Sequence, residues 1–442
     1  VAKIASTLDT SDAVEKGKEK ASLSQNLIMG LQHVLTMCPG SIAVPLIMSG
    51  PLELDGATTA YLVAANLFTS AIAILIQVYG LGRHIGSRLP IVLGSAFAPL
   101  GAMIVIGRQY GLPTVFGAVM TAGVIMFGIS FFMKSILKFF PPVVIGSFVT
   151  LIGVTLAPTA FSDLAGGEGA ATFGAIPNVA LGLVVLLIIV LLNRFGSDMI
   201  QSISLLLGLG IGTVLAIPLE MVDFSPVAQA KWLELITPFH FGAPQFKPGP
   251  ILIMTLFCVI NMIQCIGVYA FLDNVRQTNT SDKVKVDGMR GQAFAQIISG
   301  VFSSVPSSMF NENVGVIKLS GIGARSTVGC AGLLLLVISL IPKCSAFITC
   351  IPKPVIGGAT LALFGTISAA GISILSSVDY SNHNNSLILG TGLALGVGAS
   401  FTAGAFDQFP LILSMLLSNG LFVVGIVTIT LNIVLNLGKT KE

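Results

Sequence analysis

Glu312 is the acidic residue of this chain that stands inside an apolar stretch, in Phe310-Asn311-Glu312-Asn313-Val314-Gly315; the other carboxylates fall in the tails, in loops or at the ends of apolar stretches. A carboxylate in a hydrocarbon setting is costly and marks function by default. Its two oxygens accept paired N–H donors, and such bonds are about twice as strong when one partner is charged. The neighbouring amides could also satisfy it as a purely structural group. Four further polar residues lie in apolar surroundings: Gln32 with His33, Gln264 and Gln292. Gln264 reads equally as a packing amide or as a ligand group that both donates and accepts, whereas Gln292 reads as a packing amide. His33 is either a satisfied packing residue or a proton carrier. The six cysteines form no Cys-x-x-Cys pair, and a Cys344–Cys350 bridge has only a shared loop in its favour. With no metal-ligand cluster, nucleophile-base pair or phosphate loop, neither a cofactor nor an enzyme is expected.

The elements that hold these residues are set by composition. Of 442 residues, 54% are hydrophobic and 9% charged, and the mean hydropathy is +0.94. Soluble domains carry roughly a quarter charged residues, so soluble enzymes are excluded. A net charge of +3 leaves no basic face for a nucleic acid. A span needs about 20 apolar residues, and fourteen stretches of that order can be marked. They run 24–49, 59–80, 90–107, 112–136, 140–163, 171–193 and 199–222, then 248–272, 288–304, 305–323, 326–342, 353–377, 384–402 and 409–437. The third and tenth contain IVLGSAFAPLGAM and SVPSSMFNENVGVI, whose Gly, Pro, Ser and Asn break the apolar run near mid-membrane. The polar stretch before the first span has no secretory-signal order and reads as a solvated tail.

Alternating these spans from a cytoplasmic N-terminus leaves only Arg108, Lys231, Lys247, Lys343 and Lys353 of the 22 cationic residues on the outer face. That bias predicts an even number of spans with both termini cytoplasmic. The halves also echo each other. Pro141-Pro142-Val143-Val144-Ile145-Gly146 returns as Pro352-Lys353-Pro354-Val355-Ile356-Gly357, while Thr114-Val115 returns as Thr327-Val328 and Ser95 as Ser308, all at nearly one offset. The expectation is an all-α polytopic membrane protein of fourteen transmembrane segments in a 7+7 inverted repeat. In such a fold paired broken spans expose backbone donors at the midplane.

The string from Glu312 to Gly321, ENVGVIKLSG, resembles the signature [QEP]-N-x-G-x-x-x-x-T-[RKG] of the nucleobase/ascorbate transporter family, with Ser320 for threonine. Gln32-His33 resembles that family's Q-H motif, and Gly94-Ser95-Ala96-Phe97 its third-span segment. The resemblance covers nearly the whole chain. It implies tails at 1–23 and 438–442, a core domain at 24–136 and 248–342, and a gate domain at 137–247 and 343–437. It also implies short strands in the third and tenth segments, alternating access and a homodimer in the cell membrane. The base would bind between the domains, bonded to Glu312 and to backbone amides near Phe97 and Asn311, with Phe310 able to stack on it. Gln264, Ser95, Gln32, His33 and Asn313 complete the expected substrate set. This chain departs from the family at three positions: Gln264, Val268 and Gln292 stand where acidic residues, or a histidine at the second, are usual. A proton symporter needs a group that titrates during the cycle. Either Glu312 or His33 carries the proton, or another ion such as Na+ is used, or the protein is an uncoupled facilitator.

The leading expectation is a permease for uracil or an oxopurine such as xanthine or urate. Against it stands an anion exchanger of the same architecture, like the sulfate permeases. Glu312 separates the two, because a fixed carboxylate repels a small anion and suits a neutral heterocycle bearing N–H donors.

Overall fold

The computed structural model describes residues 22–402 and 404–437. Residues 1–21 and 438–442, and with them six of the cytoplasmic lysines in the charge count (Lys3, Lys16, Lys18, Lys20, Lys439 and Lys441), lie outside the described residues, and so do all but Ser22 and Leu23 of the two expected tails.

The chain is a succession of helices interrupted by two short strands. Helix α1, Leu23–Ser49, opens with a capping box between Ser22 and Gln25. Helix α2, Gly56–Tyr79, opens on Asp55, whose carboxylate accepts the Thr58 amide at 2.7 Å. Both caps satisfy orphan N–H groups of a first turn. Then come β1 (Leu93–Ser95), α3 (Leu100–Tyr110), α4 (Leu112–Ile129), α5 (Pro142–Leu164), α6 (Ile176–Phe195) and α7 (Ser204–Ala216). The second half holds α8 (Pro248–Arg276), α9 (Asp282–Val301), β2 (Ser307–Met309), α10 (Asn311–Ser320), α11 (Arg325–Ser339) and α12 (Pro342–Thr349). It ends with α13 (Lys353–Leu375), α14 (His383–Phe401), α15 (Leu411–Leu417) and α16 (Gly420–Asn432).

Among the described residues, seven helices are long and apolar enough to cross a membrane: α1, α2, α4 with its short extension, α5, α6, α8 and α13. Helices α11 and α12, bent by 81° at their junction, make an eighth candidate. The molecule is thus a mostly helical, multi-pass membrane protein. Helix α9 begins at Asp282, earlier than the apolar run suggested, so Asp287 is a buried residue inside the helix rather than at the edge of the span. It is paired with Arg290 at 3.0 Å. All six thiols are free, which removes the Cys344–Cys350 bridge.

The third and tenth apolar stretches are broken as their residues require. Pro90 precedes β1 and Pro306 precedes β2; proline holds an extended backbone before it and removes a helical donor. The strands pair antiparallel with Leu93 opposite Met309, Gly94 opposite Ser308 and Ser95 opposite Ser307. Amides at either end extend the ladder, Ala96 to the Pro306 carbonyl at 2.8 Å and Phe310 to the Val92 carbonyl at 3.0 Å. Each strand runs into a half-length helix, β1 into α3 and β2 into α10.

Helices α5 and α13 pack on each other along most of their length. Each has 23 residues and opens on a proline N-cap, Pro141 and Pro352. Their contact is two-fold in character. A Cβ on Gly146 would collide with Leu375 and the Gly371 carbonyl; one on Gly357 would collide with Leu164 and the Ala160 carbonyl. The P-x-x-V-I-G repeat places those glycines, leucines and small residues at equivalent positions, so the sequence echo becomes a self-complementary glycine seam.

Candidate substrate-binding site

Where β1 meets β2 the chain builds a small cavity, about 90 Å³ in volume. Its polar wall comes from α1, β1 and the turn after it, α8, β2 and the start of α10, through Thr36, Phe97, Asn261, Gln264, Phe310, Asn311 and Glu312. Its apolar wall comes from α5, α7 and α13, through Val149, Ile152, Leu205, Leu363, Ile367, Ala370 and Ile374. Asn311 and Glu312 are the first residues of α10. The first N–H groups of a helix have no partner within it and carry its positive dipole end, so backbone donors and the Glu312 carboxylate meet at one place.

The strands are anchored from behind by buried amides. Asn66 of α2 donates to the Ser41 carbonyl at 2.7 Å and to the Ser95 hydroxyl at 2.9 Å, and Ser95 itself donates to the Ser41 carbonyl at 2.7 Å. Asn261 and Gln292 both donate to the Ser307 carbonyl, each at 2.9 Å. That carbonyl thereby uses both lone pairs. The Cys265 thiol donates to the far side of the Gln292 amide at 2.7 Å. Gly94 is needed here, because a Cβ on it would strike the Phe310 ring and the Ser41 hydroxyl. The same ring lies against Gly40 of α1, so Phe310 is wedged between two glycines at the cavity edge. Phe97 meets Phe364 of α13 edge-on, with centroids 5.6 Å apart, across the two walls.

Of the residues expected at the site, Glu312, Gln264, Phe97, Asn311, Phe310 and Ser95 all line this cavity. The Ser95 hydroxyl donates to the Ser41 carbonyl and accepts from Asn66, so its proton is not free to serve a ligand. Gln32, His33 and Asn313 are buried and lie outside the lining. His33 and Asn313 are joined: the Asn313 amide nitrogen donates to the His33 carbonyl at 2.9 Å and lies 3.2 Å from its Nδ1. This ties α1 to α10 directly behind Glu312. Gln292, read as a packing amide, bonds across to the Ser307 carbonyl and so positions β2. Asn261 and Thr36 were not singled out by sequence reasoning. Asn261 had a signal, since its spacing from Gln264 places both on one helix face; Thr36 had none.

Three comparisons bear on this arrangement. Residues 24–404 match the Permease family that groups xanthine and uracil permeases. A xanthine permease of Bacillus subtilis is 39% identical over 95% of this chain and 95% of its own. The uric acid permease PucK of the same organism is 38% identical over 94% and 96%, and the uric acid transporter UacT of Escherichia coli 32% identical over 93% and 86%. Among solved structures, murine Slc26a9, an anion transporter in an inward-facing state, superposes with a TM-score of 0.65 at 14% identity, covering 98% of this chain and 71% of that one. The transmembrane domain of the cyanobacterial bicarbonate transporter BicA gives 0.58 at 16% identity, covering 92% and 97%. At such identities these two speak for the fold alone. With a family match over most of its length and relatives well above 30% identity along nearly all of it, the chain belongs to the permease family of the nucleobase/ascorbate transporters.

Proposed function

We propose that this protein is a permease for an oxopurine of the xanthine or uric acid kind, or for uracil, and carries it across the cell membrane by alternating access. The observation that carries the reading is the pairing of Glu312 with the backbone donors of α10 in a cavity whose opposite wall is wholly apolar. An acceptor carboxylate beside N–H donors suits a neutral lactam ring, which presents N–H and C=O side by side, and the apolar wall suits its face. Xanthine and uric acid are the substrates named for the relatives. The fold neighbours carry anions, but a carboxylate in the cavity works against a small anion here.

The two walls support a division into a core at 24–136 and 248–342 and a gate at 137–247 and 343–437. Helices α4 with α9 and α2 with α11 pack within the first group, α5 with α13 and α14 with α16 within the second. The broken pair β1–α3 and β2–α10 and the glycine seam of α5 and α13 support fourteen segments in a 7+7 inverted repeat. Both termini are then cytoplasmic. A homodimer and a coupling ion, H+ or Na+, belong to the same proposal. The test is uptake of labelled xanthine, uric acid and uracil by proteoliposomes holding the purified chain. Saturable uptake of at least one, competed by the others in a fixed order, is expected; no uptake of any would refute it.

A further inference from the structure

Threonines inside this protein's helices generally turn the hydroxyl back on their own helix. Thr59, Thr69, Thr114, Thr121, Thr213 and Thr428 each donate to the carbonyl four residues earlier. Thr36 does not. The residue lines the cavity, and its Oγ1 is buried and has no hydrogen-bond partner in the protein. It sits in the turn of α1 that carries Pro39, whose missing N–H leaves the Leu35 carbonyl without its helical donor. The Gln264 Nε2 is the other side-chain atom in the lining that is buried and unpartnered. A buried polar atom left without a partner is costly. Two such atoms, on α1 and α8, belong to residues lining one cavity, where what fills it can satisfy both.

The chemistry of that filling follows from what each group can do. Glu312 is acceptor-only when ionised, so it takes a ring N–H. The Gln264 Nε2 and the Thr36 hydroxyl are donors and take carbonyl oxygens. Acceptor with two donors is the complement of an imide edge, O=C–NH–C=O, which xanthine and uracil both present. Hypoxanthine and 2-oxopurine each lack one of the two carbonyls.

We propose that Thr36 is a specificity-determining residue whose hydroxyl donates to one carbonyl of an imide edge, while Glu312 accepts the N–H between the two. This rests on the functional reading above and sharpens it from nucleobases in general to dioxo bases. An extra ring carbonyl is then favoured not by size but by a donor that is otherwise left unpaired.

The test measures competition by xanthine, hypoxanthine, 2-oxopurine and uracil against labelled xanthine in proteoliposomes, for wild type, Thr36→Val and Thr36→Ser. Valine keeps the branched shape and removes the hydroxyl; serine keeps the hydroxyl. Thr36→Val should weaken xanthine and uracil about tenfold, as one lost hydrogen bond implies. It should leave one of the two mono-oxo purines within about twofold of its wild-type value, and Thr36→Ser should restore the wild-type ranking. An equal loss for all four bases, or a loss that serine does not restore, marks Thr36 as packing and overturns the inference. If Thr36→Val does not fold, Thr36→Ser and Thr36→Ala are compared, and a ranking unchanged between them overturns it equally. Wild-type protein that takes up xanthine while Thr36→Val behaves identically defeats this inference alone. Wild-type protein that takes up no base defeats the functional reading and this inference with it.

Discussion

At the residue scale the cavity separates groups that can touch a ligand from groups that hold those in place. Glu312 belongs to the first kind. Replacing it by glutamine keeps the shape and removes the charge, and bonds to a charged group are worth about 1.5–3 kcal/mol. Glu312→Gln should therefore lose on the order of 10- to 100-fold in base affinity while eluting as a folded protein; unchanged affinity in the purified variant would contradict the assignment. Gln264 tests the same wall from the other side. Its Nε2 has no partner in the protein, so Gln264→Glu exchanges a free donor for an acceptor-only group. The ranking of bases in a competition assay should change, and uptake should acquire a new dependence on pH. A ranking that stays as it was would reduce Gln264 to a packing amide. Sequence pointed to both residues through rarity, because a carboxylate or amide in an apolar run stands out. It could not tell that Ser95 spends its hydroxyl on Ser41, or that Gln292 serves the Ser307 carbonyl. Those roles are set by partners distant in the chain, and no local pattern records them.

At the scale of elements, the two strand-helix breaks were legible because proline and glycine leave few backbone options, while the register that sets Gly94 opposite Ser308 was not. Register here depends on side chains that fill or leave space. The Phe310 ring occupies the space that Gly40 and Gly94 leave open. Gly94→Ala should force that ring outward or part the strands, at roughly 1–3 kcal/mol by the usual cost of overpacking. A lower unfolding temperature in detergent together with weakened base binding is expected. Were only stability to fall, with binding intact, the ring would be a wedge and not part of the site. Helix ends were less readable. Helix α9 starts on Asp282 because Ser281 accepts the Val284 amide, a cap placed ahead of the apolar run, which is how Asp287 read as the edge of a span and not as its interior.

For the whole molecule, the alternating access proposed above requires one wall to move against the other. The buried link between α1 and α10 is where we propose that a proton can act, since Gln264, Val268 and Gln292 offer no titratable group. The Asn313 nitrogen lies 3.2 Å from His33 Nδ1, and when it donates there the neutral ring carries its proton on Nε2. A second proton would make Nδ1 a donor, and Asn313 would then have to present its oxygen, which has no partner in the protein. Protonating His33 therefore asks for an amide rotation in the residue next to Glu312, and so bears on α10 without any charge at α8 or α9. A link of that kind is weaker than a carboxylate relay. Uptake should accordingly depend less on an imposed proton gradient than is usual for such permeases, with the remaining dependence passing through His33 or Glu312. Proteoliposomes loaded under a proton gradient, a sodium gradient or neither provide the measurement, with wild type set against His33→Gln. Residual proton-driven accumulation that falls in His33→Gln is the expected result if the histidine carries it. Strong uphill accumulation driven by protons alone, and untouched by His33→Gln, would show that coupling runs through neither the histidine nor its amide and would overturn this account of the movement.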